Sequence, residues 1–101
     1  MRRVLVANRG EIAIRIIRAA RSLGLTTVAV APDDDQASLH LRRADHTRIL
    51  PGRGAGAYLD PAAVVAATLD AGADAVHPGY GFLSERPELA AACAEAGLTF
   101  V

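Results

Sequence analysis

The apolar and polar positions of this chain follow two different periods, and the switches between them divide it into strands and helices. Short runs of apolar and β-branched residues predict four buried strands and the beginning of a fifth. These runs are residues 3–7, 26–31, 46–50, 73–76 and 98–101. Between them, apolar positions recur with helical spacing, as at Ile12, Ile16 and Ile17, which predicts helices with one buried face.

Glycines mark the ends of the predicted helices. Gly24, Gly72 and Gly97 each close a helix and are followed at once by a strand. Repeated strand–helix–strand connections require a parallel sheet with helices on both faces, and right-handed crossovers make it Rossmann-like. We therefore predict one α/β domain over residues 1–101, with a parallel sheet of about four to five strands.

The clearest helix start in the sequence is Asp60 followed by Pro61. A carboxylate can cap the first amides, and proline fits the first helical position. The helix is predicted to run to residue 71 and to bury Val64, Val65 and Leu69. Ahead of it, residues 51–57 are rich in glycine and predict a solvated, flexible loop.

Composition excludes several classes of protein. The 11 basic and 11 acidic residues balance, which argues against a nucleic-acid-binding surface. No lysine occurs, so a P-loop is excluded, and no apolar run is long enough to span a membrane.

Residues 1–3 lead straight into a strand, unlike a signal peptide. The lone Cys93 on an apolar helical stripe favours a reduced, cytoplasmic setting.

Residues 77–85, with the sequence His-Pro-Gly-Tyr-Gly-Phe-Leu-Ser-Glu, form the most distinctive stretch. They join a predicted strand to a predicted helix, and ligands of open α/β sheets bind at such turns. Glycines on both sides of Tyr80 allow positive φ angles, and Ser84 could cap the following helix. The alternative is a tight connection in which Tyr80 and Phe82 simply fill the core.

The first strand also ends in a turn, Asn8-Arg9-Gly10, which should lie at the same sheet edge as Tyr80. A dinucleotide-binding fingerprint needs three glycines, and only Gly10 is present. Asn8 and Arg9 could contact an anion at the helix N-terminus. Alternatively, Asn8 ties down the turn and Arg9 pairs with a carboxylate.

Two further residue patterns bear on binding. Arg15 and Arg18 fall on the helix face opposite the isoleucines, which predicts a solvated face or, as an alternative, a partner surface. His40, His46 and His77 lack metal-ligand spacing, so no metal site is predicted.

Two motifs together resemble the N-terminal subdomain of biotin carboxylases. They are residues 6–13, Val-Ala-Asn-Arg-Gly-Glu-Ile-Ala, and residues 77–85. The resemblance covers essentially the whole chain, and Tyr58-Leu59-Asp60 falls near a Tyr-Leu-Asn of the family. Departures are His46 in place of a usual acidic residue, Ser22 where a dimer-contact glutamate can occur, and the glycine-rich loop.

The resemblance implies that the parent protein uses ATP, Mg²⁺ and bicarbonate to carboxylate biotin on a carrier protein or domain. It also implies a carboxyltransferase as a further partner. An ATP-grasp domain, absent from this chain, supplies the lysines, the metal-binding glutamates and the catalytic arginine. Tyr80 and the Gly81 backbone would border the biotin and bicarbonate pocket, with Asn8 and Arg9 at its rim. Arg15 and Arg18 match residues that contact the second subunit of family homodimers.

The chain alone is therefore expected to be a pocket-forming module without catalytic residues or bound cofactor. The first alternative is an independent Rossmann-like module that binds a small molecule or nucleotide. The second is a purely structural interaction domain.

Overall fold

The fold is a single parallel sheet with helices on both faces. The computed structural model describes residues 1–81, 84 and 86–101. In this part of the chain, five strands pair in the order β3-β2-β1-β4-β5, and every pair is parallel. The strands are β1 (Arg3–Val6), β2 (Thr26–Pro32), β3 (His46–Leu50), β4 (Ala75–His77) and β5 (Thr99–Phe100). The predicted α/β class and parallel sheet are confirmed.

Within the described ranges, four α-helices connect the strands, and they pack in two pairs. They are α1 (Gly10–Ser22), α2 (Leu39–Arg43), α3 (Pro61–Asp70) and α4 (Pro87–Glu95). Helix α1 packs beside α2 on one face of the sheet, and α3 packs beside α4 on the other. No helix among the described residues is long and apolar enough to cross a bilayer.

Strand β2 contains a continuous apolar run at residues 28–31 because helices cover both of its faces. Val28 and Val30 are buried in the core that includes α3 and α4. Ala29 and Ala31 are buried in the core of α1 and α2. Since alternate side chains point to opposite faces, these four positions are apolar on both sides, whereas the buried Thr27 hydroxyl is satisfied by a hydrogen bond to Asp45.

Helix α3 begins where the sequence predicts. Pro61 is its first residue, and the carboxylate of Asp60 accepts a hydrogen bond from the Ala63 amide at 3.2 Å. This cap satisfies one of the backbone donors that every helix leaves free at its start.

The buried face of α3 differs from the prediction. Val64 and Thr68 are fully buried, Val65 is half-buried, and Leu69 is 54% exposed. Positions 64 and 68 are four residues apart and share one helix face, so Leu69 lies to the side of it. The Thr68 hydroxyl remains satisfied because it donates to the Val64 carbonyl oxygen at 2.7 Å.

The predicted glycine-rich loop is exposed at its start but becomes ordered structure at its end. Residues Gly54–Leu59 form 3₁₀ turns, and the Tyr58 side chain is fully buried. Its hydroxyl donates to the Val30 carbonyl oxygen at 3.2 Å, and burial raises the pKa of Tyr58 to about 12. Tyr58 therefore anchors the loop to the central sheet.

Candidate functional site

Two turns meet at the carboxyl edge of the sheet because β1 and β4 are neighbours. Val6 is in register with His77, and the Ala7 amide continues the pairing by donating to the His77 carbonyl oxygen at 2.9 Å. The turn after β1 contains Asn8, and the turn after β4 contains Tyr80. The prediction that both turns lie at one edge is confirmed.

Asn8 joins the two turns. Its side chain is 1% exposed, and Nδ2 donates to the carbonyl oxygens of Pro78 at 2.9 Å and Tyr80 at 2.6 Å. Its Oδ1 accepts from the Arg9 amide at 2.8 Å. Each polar atom of the buried amide is thus hydrogen-bonded, as burial requires. Asn8 does tie down its own turn, and it holds the Tyr80 turn as well.

Gly79 brings the backbone of the second turn directly against α1. Its φ is +67°, in the left-handed region that favours glycine. A Cβ at this position would lie 2.9 Å from Nδ2 of Asn8, 3.0 Å from Cγ2 of Ile12 and 3.2 Å from Cδ1 of Ile16. Both the backbone angle and the close approach therefore require glycine here.

His77 adds a further constraint on the turn. Its Nδ1 lies 3.1 Å from the Gly79 amide nitrogen and accepts its hydrogen bond. The accepting nitrogen carries no proton, so the neutral ring bears its proton on Nε2. Burial lowers the pKa of His77, which favours this neutral form.

The Tyr80 side chain extends away from the turn that holds its backbone. It is 78% exposed, so the alternative in which Tyr80 fills the core is wrong. Phe82, the other half of that alternative, lies outside the described residues. An exposed aromatic ring on a fixed backbone is suited to contact a ligand or another domain.

Ser84 does not cap helix α4 as predicted. Its amide and its hydroxyl both donate to the Gly81 carbonyl oxygen, at 2.9 and 2.6 Å. The helix begins only at Pro87, with Arg86 at the capping position. The hydroxyl is therefore used within the turn, where it restrains the residue that follows Tyr80.

An apolar groove runs beside Tyr80 on the α1 side of the sheet. Its volume is about 610 Å³, and Ile12, Ile16 and Leu23 of the α1 region line it together with His77 and Tyr80. Among its described lining residues, Arg15 is the one charged side chain. The groove thus offers apolar contact on one side of the Tyr80 turn and a cation at its border.

The arginines predicted as contacts lie on different surfaces. Arg15 and Arg18 are exposed, which confirms the predicted polar face of α1. Arg15 lies 3.7 Å from a carboxylate oxygen of Glu11, in a pair that solvent surrounds. Arg9 lines a small hollow with Asp35. The expected ion pair of Arg9 is not found in the described part of the chain.

The described residues offer no group of three histidine, cysteine or acidic side chains that could hold a metal ion. Cys93 is buried in the core beside α3, where burial raises the pKa of its thiol. It is therefore a packing residue rather than a nucleophile.

The hydrogen bonds from Asn8 to the Tyr80 turn were not predicted from the sequence. The partners are separated by about seventy residues, and only the order of the strands brings them together. One feature of the sequence could have indicated these bonds: Asn8 comes directly after a buried strand, and the Tyr80 turn also follows a buried strand. Turns that follow parallel strands lie at the same sheet edge.

Comparisons with known proteins agree with this architecture. Residues 1–101 match the family model described as biotin carboxylase, N-terminal domain. The chain is 54% identical over 100 residues to methylcrotonoyl-CoA carboxylase subunit alpha, mitochondrial, of Glycine max, covering 98% of the chain and 14% of that protein. It is 45% identical over 102 residues to biotin carboxylase 1 of Bacillus subtilis (strain 168), covering 100% of the chain and 23% of that protein.

A solved structure, the biotin carboxylase domain of a single-chain bacterial carboxylase, superposes with a TM-score of 0.94 at 57% identity. The match covers 99% of this chain and 24% of that one. The chain thus spans less than a quarter of the length of each of these three proteins. It belongs to the biotin carboxylase family, in which it corresponds to the N-terminal domain.

Proposed function

We propose that this chain is the N-terminal module of an enzyme that carboxylates carrier-bound biotin with ATP and bicarbonate. The observation that carries the proposal is the exposed Tyr80 ring on a backbone turn that buried Asn8 holds in place. Family membership supports it, since relatives include a biotin carboxylase and a methylcrotonoyl-CoA carboxylase subunit.

In this proposal Tyr80 and the backbone of Gly81 form part of the wall of the biotin and bicarbonate pocket. An aromatic ring supplies apolar contact to a bicyclic ligand, and its hydroxyl supplies a polar contact at the edge. The apolar groove beside the turn extends that surface. Arg9 belongs to the rim and also lines a small hollow with Asp35, whereas buried Asn8 supports the pocket only through the backbone of the Tyr80 turn.

The residues of this chain do not fit ATP and Mg²⁺. The sequence contains no lysine, and the described residues contain no acidic cluster suited to a metal ion. When bound elsewhere in the enzyme, ATP would activate bicarbonate, and an ATP-grasp region would hold it. The module's own contribution is to shape the pocket, so we expect the 101-residue chain alone to be inactive.

The same proposal names the partners. They are the ATP-grasp remainder of the carboxylase, a biotin carrier protein or domain, a carboxyltransferase, and a second subunit that contacts Arg15 and Arg18. A cytoplasmic location is part of the proposal, on the basis of a single buried cysteine and no disulfide.

The test is ADP release by the full-length carboxylase that carries this chain. We expect release that depends on both bicarbonate and biotin, and none from the 101-residue chain above a heat-inactivated control. Full-length protein that hydrolyses no ATP in response to biotin and bicarbonate would overturn the proposed function. Activity of the 101-residue chain alone would contradict the assignment of ATP to the remainder.

A further inference from the structure

The Asn8 side chain is a buried polar group that bonds the backbone of a turn about seventy residues away. It is enclosed at the junction of two turns, and both of its N–H groups are directed at carbonyl oxygens of the Tyr80 turn. A buried amide is costly unless it is fully hydrogen-bonded, which Asn8 is. An apolar residue could fill this volume, but it would leave the carbonyl oxygens of Pro78 and Tyr80 without these donors.

The restraints on the turn act on its backbone rather than on the Tyr80 ring. Asn8 holds the carbonyl oxygens on either side of Gly79, and the His77 ring holds the Gly79 amide. Ser84 holds the Gly81 carbonyl oxygen with two donors. The ring itself remains exposed and gains little packing from this arrangement. The backbone of the turn is therefore held in one conformation, while the ring remains available to a ligand or another domain.

We propose that Asn8 is a positioning residue for the biotin half-reaction, acting through the backbone of Tyr80 without touching the substrate. The inference rests on the proposed function. If the two Nδ2 bonds are lost, the Tyr80 turn relaxes from α1 and its ring samples more orientations. Biotin then binds more weakly, while ATP, held elsewhere, is unaffected.

Asn8→Asp in the full-length carboxylase is the change that removes the two Nδ2 hydrogen bonds with the least change in side-chain shape. The carboxylate keeps the shape of the amide and the acceptor for the Arg9 amide, but it places an oxygen against the carbonyl oxygens of Pro78 and Tyr80. Asn8→Ser is the second variant, since its hydroxyl can serve the Arg9 amide but is too short to replace both Nδ2 contacts. We expect each to raise the KM for free biotin about tenfold and to leave the KM for ATP within about twofold.

Thr68→Val is the matched control. It also removes a buried side-chain hydrogen bond, to the Val64 carbonyl oxygen, but it lies in α3 on the opposite face of the sheet. It should lower the melting temperature by less than the Asn8 variants do, because the Val64 carbonyl oxygen keeps its helical hydrogen bond, and it should leave the KM for biotin unchanged. A rise in the biotin KM that Thr68→Val shares would identify the effect as general destabilisation and overturn the proposal.

Amide hydrogen exchange at Gly79 gives a readout that needs no activity. The Gly79 N–H donates to His77 within the restrained turn, so it should exchange about tenfold faster in Asn8→Ser, and at the wild-type rate in Thr68→Val. Unchanged exchange and an unchanged biotin KM in a folded Asn8 variant would overturn the role of Asn8. If the wild-type enzyme shows no biotin-dependent ADP release, the proposed function is overturned instead. The exchange rate of the Gly79 amide in the Asn8 variants would then still show whether Asn8 restrains the Tyr80 turn.

Discussion

The side-chain nitrogen of Asn8 lies 2.6 Å from the carbonyl oxygen of Tyr80, a residue 72 positions further along the chain. This contact exists because β4 inserts beside β1 in the sheet, so that the ends of two strands distant in sequence become neighbours. The candidate site is therefore a product of topology. Its two turns contribute different things: the first supplies a buried amide, and the second presents an exposed ring.

Substitutions of Tyr80 should change biotin binding without changing the stability of the fold. Tyr80→Ala in the full-length carboxylase should raise the KM for biotin more than the KM for ATP, because the ring is proposed to contact only the biotin pocket. The melting temperature should change little, since the side chain is 78% exposed. Tyr80→Phe retains the ring and should recover most of the loss. An unchanged biotin KM in Tyr80→Ala would remove Tyr80 from the pocket.

Two glycines in the same turn form a natural pair for measuring the contact with α1. Gly79 and Gly81 have nearly equal φ angles, +67° and +68°, but a Cβ at Gly81 would meet nothing within 4 Å. Gly81→Ala should cost about 1 kcal/mol, the penalty for an alanine in the left-handed region. Gly79→Ala adds collisions with Asn8 and Ile12, and we expect about 1–3 kcal/mol more.

Urea unfolding of the two alanine variants measures this difference directly. Equal free energies of unfolding would mean that α1 yields to the extra methyl group at no cost. That result would contradict the close packing of the Tyr80 turn against the helix.

Acidification should destabilise the fold through His77. Burial lowers the pKa of this side chain below its ordinary value of about 6.5, so the unfolded chain takes up a proton at a higher pH than the folded chain does. Its contribution to stability is thus complete above about pH 6.5 and is lost as the pH falls through the lower folded pKa. Protonation would also remove the acceptor of the Gly79 amide and place a cation in a groove that already contains Arg15.

Unfolding free energies measured between about pH 5 and 7.5 test this dependence. His77→Asn is the suitable control, because an asparagine oxygen can accept from the amide two residues on but does not titrate. The variant should lose less stability than the wild type over this range. If both proteins show the same slope, His77 is not the source of the pH dependence.

The arginine face of α1 should affect assembly only in the longer enzyme. Arg15 and Arg18 are exposed, and a stable interface buries about 800 Å² per partner, more than one helix face of this size supplies. We expect the 101-residue chain to sediment as a monomer at micromolar concentration. Arg15→Ala with Arg18→Ala should weaken a dimer of the full-length carboxylase, whereas Arg48→Ala, on another surface, should not. A full-length dimer unaffected by the double change would place the contact elsewhere.

Local patterns predicted the elements well wherever a single segment determines them. Strand β3 begins and ends at the predicted residues, and Asp60 caps α3 as its position before Pro61 indicates. These features depend on neighbours in sequence. Leu69 shows the limit of the same reasoning, because apolar character alone does not say which of two adjacent helix faces meets the core.

The meeting of the two turns at one sheet edge could be predicted from the sequence, but the contacts between them could not. The pattern of residues 77–85 predicts a strand-to-helix turn. It does not show that the Ser84 hydroxyl donates to the Gly81 carbonyl oxygen instead of capping the helix. Nor could it show that Asn8 would reach Pro78 and Tyr80, since that requires knowing that β4 lies next to β1. Long-range pairing determines these contacts, and it leaves no periodic signal in the chain.

The distance in sequence between Asn8 and its acceptors also sets an order of events during synthesis. A ribosome adds about 5–20 residues per second. The carbonyls of Pro78 and Tyr80 are therefore synthesised on the order of ten seconds after the Asn8 side chain that bonds them. Until then β1 has no neighbour on its β4 side, and water must solvate the amide. The Tyr80 surface is consequently among the last parts of the module to acquire its shape, and a nascent chain cannot display it before the sheet closes around its first strand.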